Sequence, residues 1–388
     1  MPSYHSAADL PAPDEAQKAY SLRLVHRLIE RIEQAGGTIP FEDYMHACLY
    51  EPGLGYYSAG SAKFGAEGDF VTAPELTPLF GRTLARQAES LFAQGLPPGI
   101  LEFGAGSGCL CCDLLGELEA RGVAWDEYAI LEPSPDLRQR QQALFARELP
   151  AGVRARIRWL ERLPNGFRGL VLGNEVLDAM PLRVLHKRDG WRELGVAFED
   201  GRFRWRELPQ SRADAGALAA IQAIDARLGL PEGYRTEVNR QYGPWCRALA
   251  GACVQAVVLL IDYGHPQTLY YHPSRTRGWL QCFYRHRVHG DPFVYPGLQD
   301  ITAFVDFDAF GEAARDAGFE LLGLRGQGEF LLANGLLDLA DGGDADGDAL
   351  SRLQRAQQIK TLTLPNEMGE RFKVAGLALG GRYTLNGF

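Results

Sequence analysis

Residues 100–108 read Ile-Leu-Glu-Phe-Gly-Ala-Gly-Ser-Gly, a short apolar run closing on a glycine-rich turn, and no other stretch limits the fold as strongly. Glycines this dense weaken a regular element, but between a strand and a helix they let backbone amides come close to another group. The flanking pattern agrees. Ile100–Phe103 reads as a strand, Leu110–Arg121 as a helix and Glu127–Leu131 as a strand. Pro135–Glu148 is a helix with Ser134 as its cap and Pro135 at its first position. Arg156–Leu160 and Gly169–Leu172 are further strands. Strands alternating with helices predict βαβ units, hence an α/β fold whose parallel sheet is covered on both faces.

Outside this stretch the pattern changes. Residues 1–95 read as an N-terminal helical extension, with helices expected from Ser21 to Gln34, Phe41 to Leu49 and Pro78 to Phe92. Residues 96–182 and 254–388 form the core, interrupted by an irregular insertion over 263–299. Residues 183–253 form an inserted hairpin and helical region. There Asp189-Gly190 and Asp200-Gly201 separate three apolar-alternating runs, which predicts an antiparallel meander. Helices follow at 214–228 and 241–253, then the most apolar strand, Gln255–Ile261. The C-terminal part reads as a helix (Phe307–Ala317), a strand pair over 319–332, an acidic loop at 341–348, a helix, and a last strand near Phe372–Leu379.

Charge narrows the function. With 40 Lys and Arg against 49 Asp and Glu, the net charge is −9, and such a chain lacks the basic footprint of a nucleic-acid binder. No apolar run reaches the roughly 18 residues of a membrane span. The seven cysteines include Cys109, Cys111 and Cys112 at a helix start with no partner CxxC or nearby histidine, which argues for buried thiols rather than zinc. No metal is expected. An odd thiol count, and one basic residue, Lys18, in the first 20, predict neither a disulfide framework nor a targeting peptide, and so a cytoplasmic location.

The glycine turn lacks the third glycine of the dinucleotide fingerprint: Cys109 stands there. As GxGxG preceded by Glu102, it favours S-adenosyl-L-methionine over a nicotinamide cofactor. Glu132, followed by Pro133, ends the next strand, where a carboxylate takes both ribose hydroxyls. Glu161, after the third strand, lies where an adenine would. Asn174, Glu175 and Asp178 follow the fourth strand, at the edge where ligands of open α/β sheets bind. Two carboxylates there could hold a guanidinium in bidentate fashion, although Asn174 and Asp178 also suit a helix cap. His286, in the second insertion, is a candidate general base. A nicotinamide oxidoreductase, a small-molecule methyltransferase and a non-catalytic assembly factor stay open as alternatives.

Several segments together carry a family resemblance. They are FEDYMHACLYEPGLGYY (41–57), GDFVTAPELTPLFG (68–81), LEFGAGSG (101–108), GNEVLDAMP (173–181), IDYG (261–264), residues 278–307 and MGERFKV (368–374). The chain resembles the MidA-like methyltransferases, a family that includes the mitochondrial complex I assembly methyltransferase. The resemblance implies a Rossmann-like class I core that binds S-adenosyl-L-methionine, with insertions closing over it. It implies that Asp69, Thr72, Pro74, Glu75, Gly104, Gly106, Glu132, Asn174 and Glu175 belong to the cofactor and acceptor region; Ala105, between the two loop glycines, is a further cofactor-binding candidate. It also implies a protein acceptor, an arginine or a respiratory-complex subunit among them, and is compatible with a homodimer. One departure is visible: Trp279-Leu280-Gln281 replaces the family's usual Thr or Ser followed by Leu-Arg.

Overall fold

The computed structural model describes residues 5–6, 9–58, 72–341 and 349–388. Its centre is a seven-strand path: β1 (Ile100–Phe103), β2 (Tyr128–Leu131), β3 (Ile157–Leu160), β4 (Phe167–Asn174), β5 (Cys253–His265), β6 (Glu320–Gly326) and β7 (Phe372–Leu379). The spatial order is β3-β2-β1-β4-β5-β7-β6. Registers such as Ile100↔Tyr128, Ile100↔Leu170 and Leu170↔Val257 are parallel. Only β7 is reversed on this path, pairing antiparallel with β5 (Val257↔Ala378) and with β6 (Leu321↔Leu377).

The alternation of side chains splits the core into two layers. Ile100, Leu170, Leu172, Val257 and Leu259 face a layer closed by helices Pro78–Ala93 and Cys109–Ala120. Leu101, Phe103, Val171, Val258 and Leu260 face another, closed by helices Tyr242–Ala252 and Phe307–Asp316. Each face of a sheet of Val, Leu and Ile is thereby removed from water, the main stabilising term for such a fold.

A second, five-stranded sheet combines Arg183–Lys187, Trp191–Glu199 and Arg202–Glu207, the expected meander, with Ile39–Pro40 and Arg235–Val238 at its edges. Helices Glu15–Gln34 and Phe41–Tyr50 pack on it. The first of these starts before the expected Ser21, because Asp14 and Gln17 form a reciprocal capping box. Ser134 caps its helix as expected, accepting from Leu137 N at 3.4 Å.

Two expected segments differ. Residues 263–299 are only partly irregular: β5 runs on to His265, and Leu280–Tyr284 pairs with Arg287–His289 and Asp300–Ala303 in a three-stranded sheet. Residues 327–333 form a helix instead of a second strand, and the partner of β6 is the distant β7. A short apolar run such as Phe330-Leu331-Leu332 has no periodicity to tell the two apart. Of the expected loop over 341–348, residues 342–348 lie outside the described residues.

Candidate functional site

A cavity of about 1270 Å³ opens where β1, β2, β4 and β5 end. Its floor is the glycine turn. Gly104, Gly106 and Gly108 have φ of +60°, +53° and +92°, values that a side chain disfavours. At Gly108 a Cβ would also lie 2.7 Å from the Phe145 ring. Helix Cys109–Ala120 begins at Gly108, which has no side chain to cap it; Cys109 N donates to Ser107 Oγ at 3.3 Å, and the positive end of the helix dipole lies at the glycine turn. Glu102, 2% exposed, receives a hydrogen bond from the Tyr128 hydroxyl at 2.9 Å, and burial pushes its carboxyl up to about 8.

Beside the turn stands Glu132, 4% exposed, whose carboxylate accepts from Ser134 N at 2.9 Å. Gln141, fully buried on helix Pro135–Glu148, ties the two loops. Its amide donates to Gly106 O at 2.9 Å and to Glu132 Oε2 at 3.5 Å, while its oxygen accepts from the Trp159 indole at 2.7 Å. Pro133 and Glu161 also line the cavity, as do Thr72, Pro74 and Glu75.

The far end is acidic. Asp262 on β5, 1% exposed, accepts from the amides of Val176, Leu177 and Asp178 at 3.1, 2.9 and 3.2 Å. It thereby folds residues 176–178 into a turn, so Asn174 and Asp178 cap no helix there. This turn holds Glu175 at φ +52°, a costly conformation for a residue with a side chain. Asn174 Nδ2 donates to Glu175 Oε1 at 3.1 Å. Asp178 is 4% exposed; Asp178 Oδ1 and Asn174 Oδ1 are both buried with no hydrogen-bond partner. Burial, then the charge of Asp178, raises the Glu175 carboxyl well above the usual carboxylate range, and burial takes Asp178 up to about 6. Among the described residues, none of Glu175, Asp178 and Asp262 has an ion-pair partner.

Aromatic side chains enclose these carboxylates. The Tyr57 hydroxyl donates to Asp300 Oδ1 at 3.0 Å and the Tyr50 hydroxyl to Ala179 O at 2.9 Å, with their rings 5.5 Å apart. The Tyr263 hydroxyl meets Thr302 Oγ1 at 2.6 Å and also reaches Asp178. Phe283 and Gln281 complete the wall.

The expected site residues Thr72, Pro74, Glu75, Glu102, Gly104, Ala105, Gly106, Glu132, Pro133, Glu161, Asn174, Glu175 and Asp178 all line this one cavity. Asp69 lies outside the described residues. His286 does not belong: it is exposed at the tip of the hairpin 280–289. Arg285 and His286 both have positive φ there, 47° and 60°, as a two-residue hairpin turn demands. Sequence reasoning passed over Asp262, Tyr263 and Asp300 as site residues, although Asp262-Tyr263 ends the most buried strand. No cluster of three or more metal-binding side chains occurs among the described residues.

This geometry has relatives. A family model described as "Putative S-adenosyl-L-methionine-dependent methyltransferase" matches residues 79–325. The "Protein arginine methyltransferase NDUFAF7 homolog, mitochondrial" of Drosophila melanogaster is 31% identical over 395 residues, covering 91% of this chain and 85% of its own. Its Homo sapiens counterpart is 28% identical over 420 residues, covering 99% and 89%. A Burkholderia thailandensis crystal structure bound to S-adenosyl-homocysteine is 45% identical, covers 98% of both chains and superposes with a TM-score of 0.91. A native structure from the same organism gives 44%, 98% of both chains and 0.88. The relatives named mitochondrial overturn the cytoplasmic location expected from the sequence.

Proposed function

Because the chain belongs to this S-adenosyl-L-methionine-dependent methyltransferase family, its acceptor is the matter to resolve, and we propose that the acceptor is an arginine side chain of a protein. One observation carries this reading: Glu175 and Asp178 line the cavity with no ion-pair partner among the described residues, and the Asp262 carboxylate lies directly behind them, bonded to the amides of 176–178. Buried carboxylates that are not offset are costly, and a guanidinium, flat and always charged, offsets them with paired hydrogen bonds. The curated relatives carry the name protein arginine methyltransferase, which supports the same reading. A respiratory-complex subunit as acceptor remains an expectation from the resemblance.

The cavity residues suit the cofactor. The helix N-terminus after Gly108 would suit a carboxylate, Glu132 would hold ribose hydroxyls, and Glu161 and Pro133 would flank an adenine. S-adenosyl-L-methionine supplies a sulfonium-bound methyl group. The protein's part is alignment and proton transfer. Glu175 and Asn174 orient the acceptor nitrogen, and the tyrosines exclude water. A bond forms between that nitrogen and the methyl carbon, the carbon–sulfur bond breaks, and the proton lost by the nitrogen passes to Asp178.

Methyl-labelled S-adenosyl-L-methionine and peptide libraries containing Arg or Lys test this. After acid hydrolysis the label is expected in methylarginine. Label confined to methyl-lysine or to small molecules would refute the acceptor assignment.

A further inference from the structure

A group of cationic side chains starts at the cavity wall and runs away from it. Arg371 lines the cavity next to Phe372, whose ring lies 5.4 Å from that of Tyr263, a wall of the acidic chamber. From there a chain of aromatic rings leads outward. Tyr263 meets Phe304 at 4.9 Å, Phe304 stacks on Trp279 at 4.5 Å, and the exposed Arg275 guanidinium lies 4.2 Å over Trp279. His265 sits 4.8 Å from Trp279, where burial and the charges of Arg275, Lys373 and Arg371 hold it neutral, down to about 4. Lys373 shares Glu370 at 2.8 Å. Among the described residues neither Arg371 nor Arg275 has an ion-pair partner, and Glu367, also on the cavity wall, is exposed and makes none with them. The backbone bridge from Arg235 to exposed Arg277 extends the patch.

Cations gathered on a chain of net charge −9, beside a chamber that wants a cation, form a two-part electrostatic template. We propose that this rim binds an acidic stretch of the acceptor polypeptide next to the methylated arginine. The inference rests on the protein-arginine reading. The chamber takes the guanidinium, and Arg371 and Arg275 take carboxylates of flanking Asp or Glu residues.

Arg-centred peptide libraries differing in flanking charge test it. Acidic flanks are expected to raise kcat/KM about tenfold over basic ones, a preference that weakens with salt. The preference should vanish in the Arg275→Glu/Arg371→Glu double variant, and S-adenosylhomocysteine affinity, measured by calorimetry, should stay near wild type in Arg275→Glu alone, whose side chain lies outside the cavity lining. Methylation indifferent to flanking charge, or a preference that survives in the double variant, overturns the rim assignment and leaves the acceptor assignment standing. Collapse of S-adenosylhomocysteine affinity in Arg275→Glu would assign the rim to the cofactor and also overturn it. If no arginine peptide is methylated, the acceptor reading itself falls.

Discussion

Asp178 shows how a single residue can be poor for stability and right for chemistry. Its carboxyl is 4% exposed, leaves one oxygen without a partner and is pushed by burial from 3.8 to about 6. A group that holds its proton more tightly in the folded state stabilises the fold fully below its unfolded value. That contribution is lost as pH rises through about 4 to about 6, and above it the ionised group is a burden. A shift of that size corresponds to roughly 3 kcal/mol. Asp178→Asn is therefore expected to raise the melting temperature at pH 8 and to leave it nearly unchanged at pH 4, which calorimetry in both buffers checks. The same change should lower kcat by about a hundredfold or more, since the proton acceptor is gone. In the wild type, kcat/KM should fall below about pH 6 as Asp178 is protonated, and a profile flat from pH 5 to 8 would assign the proton transfer elsewhere.

Among the elements, the loop after β1, the loop after β2 and the helix that follows act as one piece because Gln141 bonds to both loops. Gln141→Leu should preserve the fold and weaken S-adenosylhomocysteine binding about tenfold, the worth of a lost buried hydrogen bond or two. Gly108→Ala should cost about 1–3 kcal/mol, because its Cβ meets the Phe145 ring at a left-handed φ. Much of this was legible in the sequence, for local reasons. Ile100–Phe103 and the Ser134-capped helix declare themselves through apolar runs, glycines and capping residues within a few positions. What was not legible depends on distant partners. The Asp262 carboxylate shapes the turn at 176–178 from 84 to 86 residues away, and β6 finds β7 rather than a neighbouring hairpin strand. His286 was misread because a histidine in a polar loop looks the same in sequence whether it lines a cavity or tips a hairpin.

At the scale of the whole molecule, the cavity is assembled from segments far apart in the chain. Tyr57 and Thr72 come from the N-terminal part, Glu132 and Glu175 from the central sheet, Asp300 from the three-stranded sheet and Met368 from the C-terminal part. A ligand bound there stabilises only the assembled state. Saturating S-adenosylhomocysteine at about a hundred times its Kd should add roughly 2.7 kcal/mol, visible as a rise of several degrees in a single melting transition. The pairing of cofactor and guanidinium in one cavity is tested most directly by calorimetry with a bisubstrate analogue, S-adenosylhomocysteine carrying a guanidinium tethered at sulfur. Binding about a hundredfold tighter than S-adenosylhomocysteine itself, an advantage of about 2.7 kcal/mol, is expected in the wild type and should be lost in Asp178→Asn. An analogue that binds no more tightly than S-adenosylhomocysteine would contradict the account.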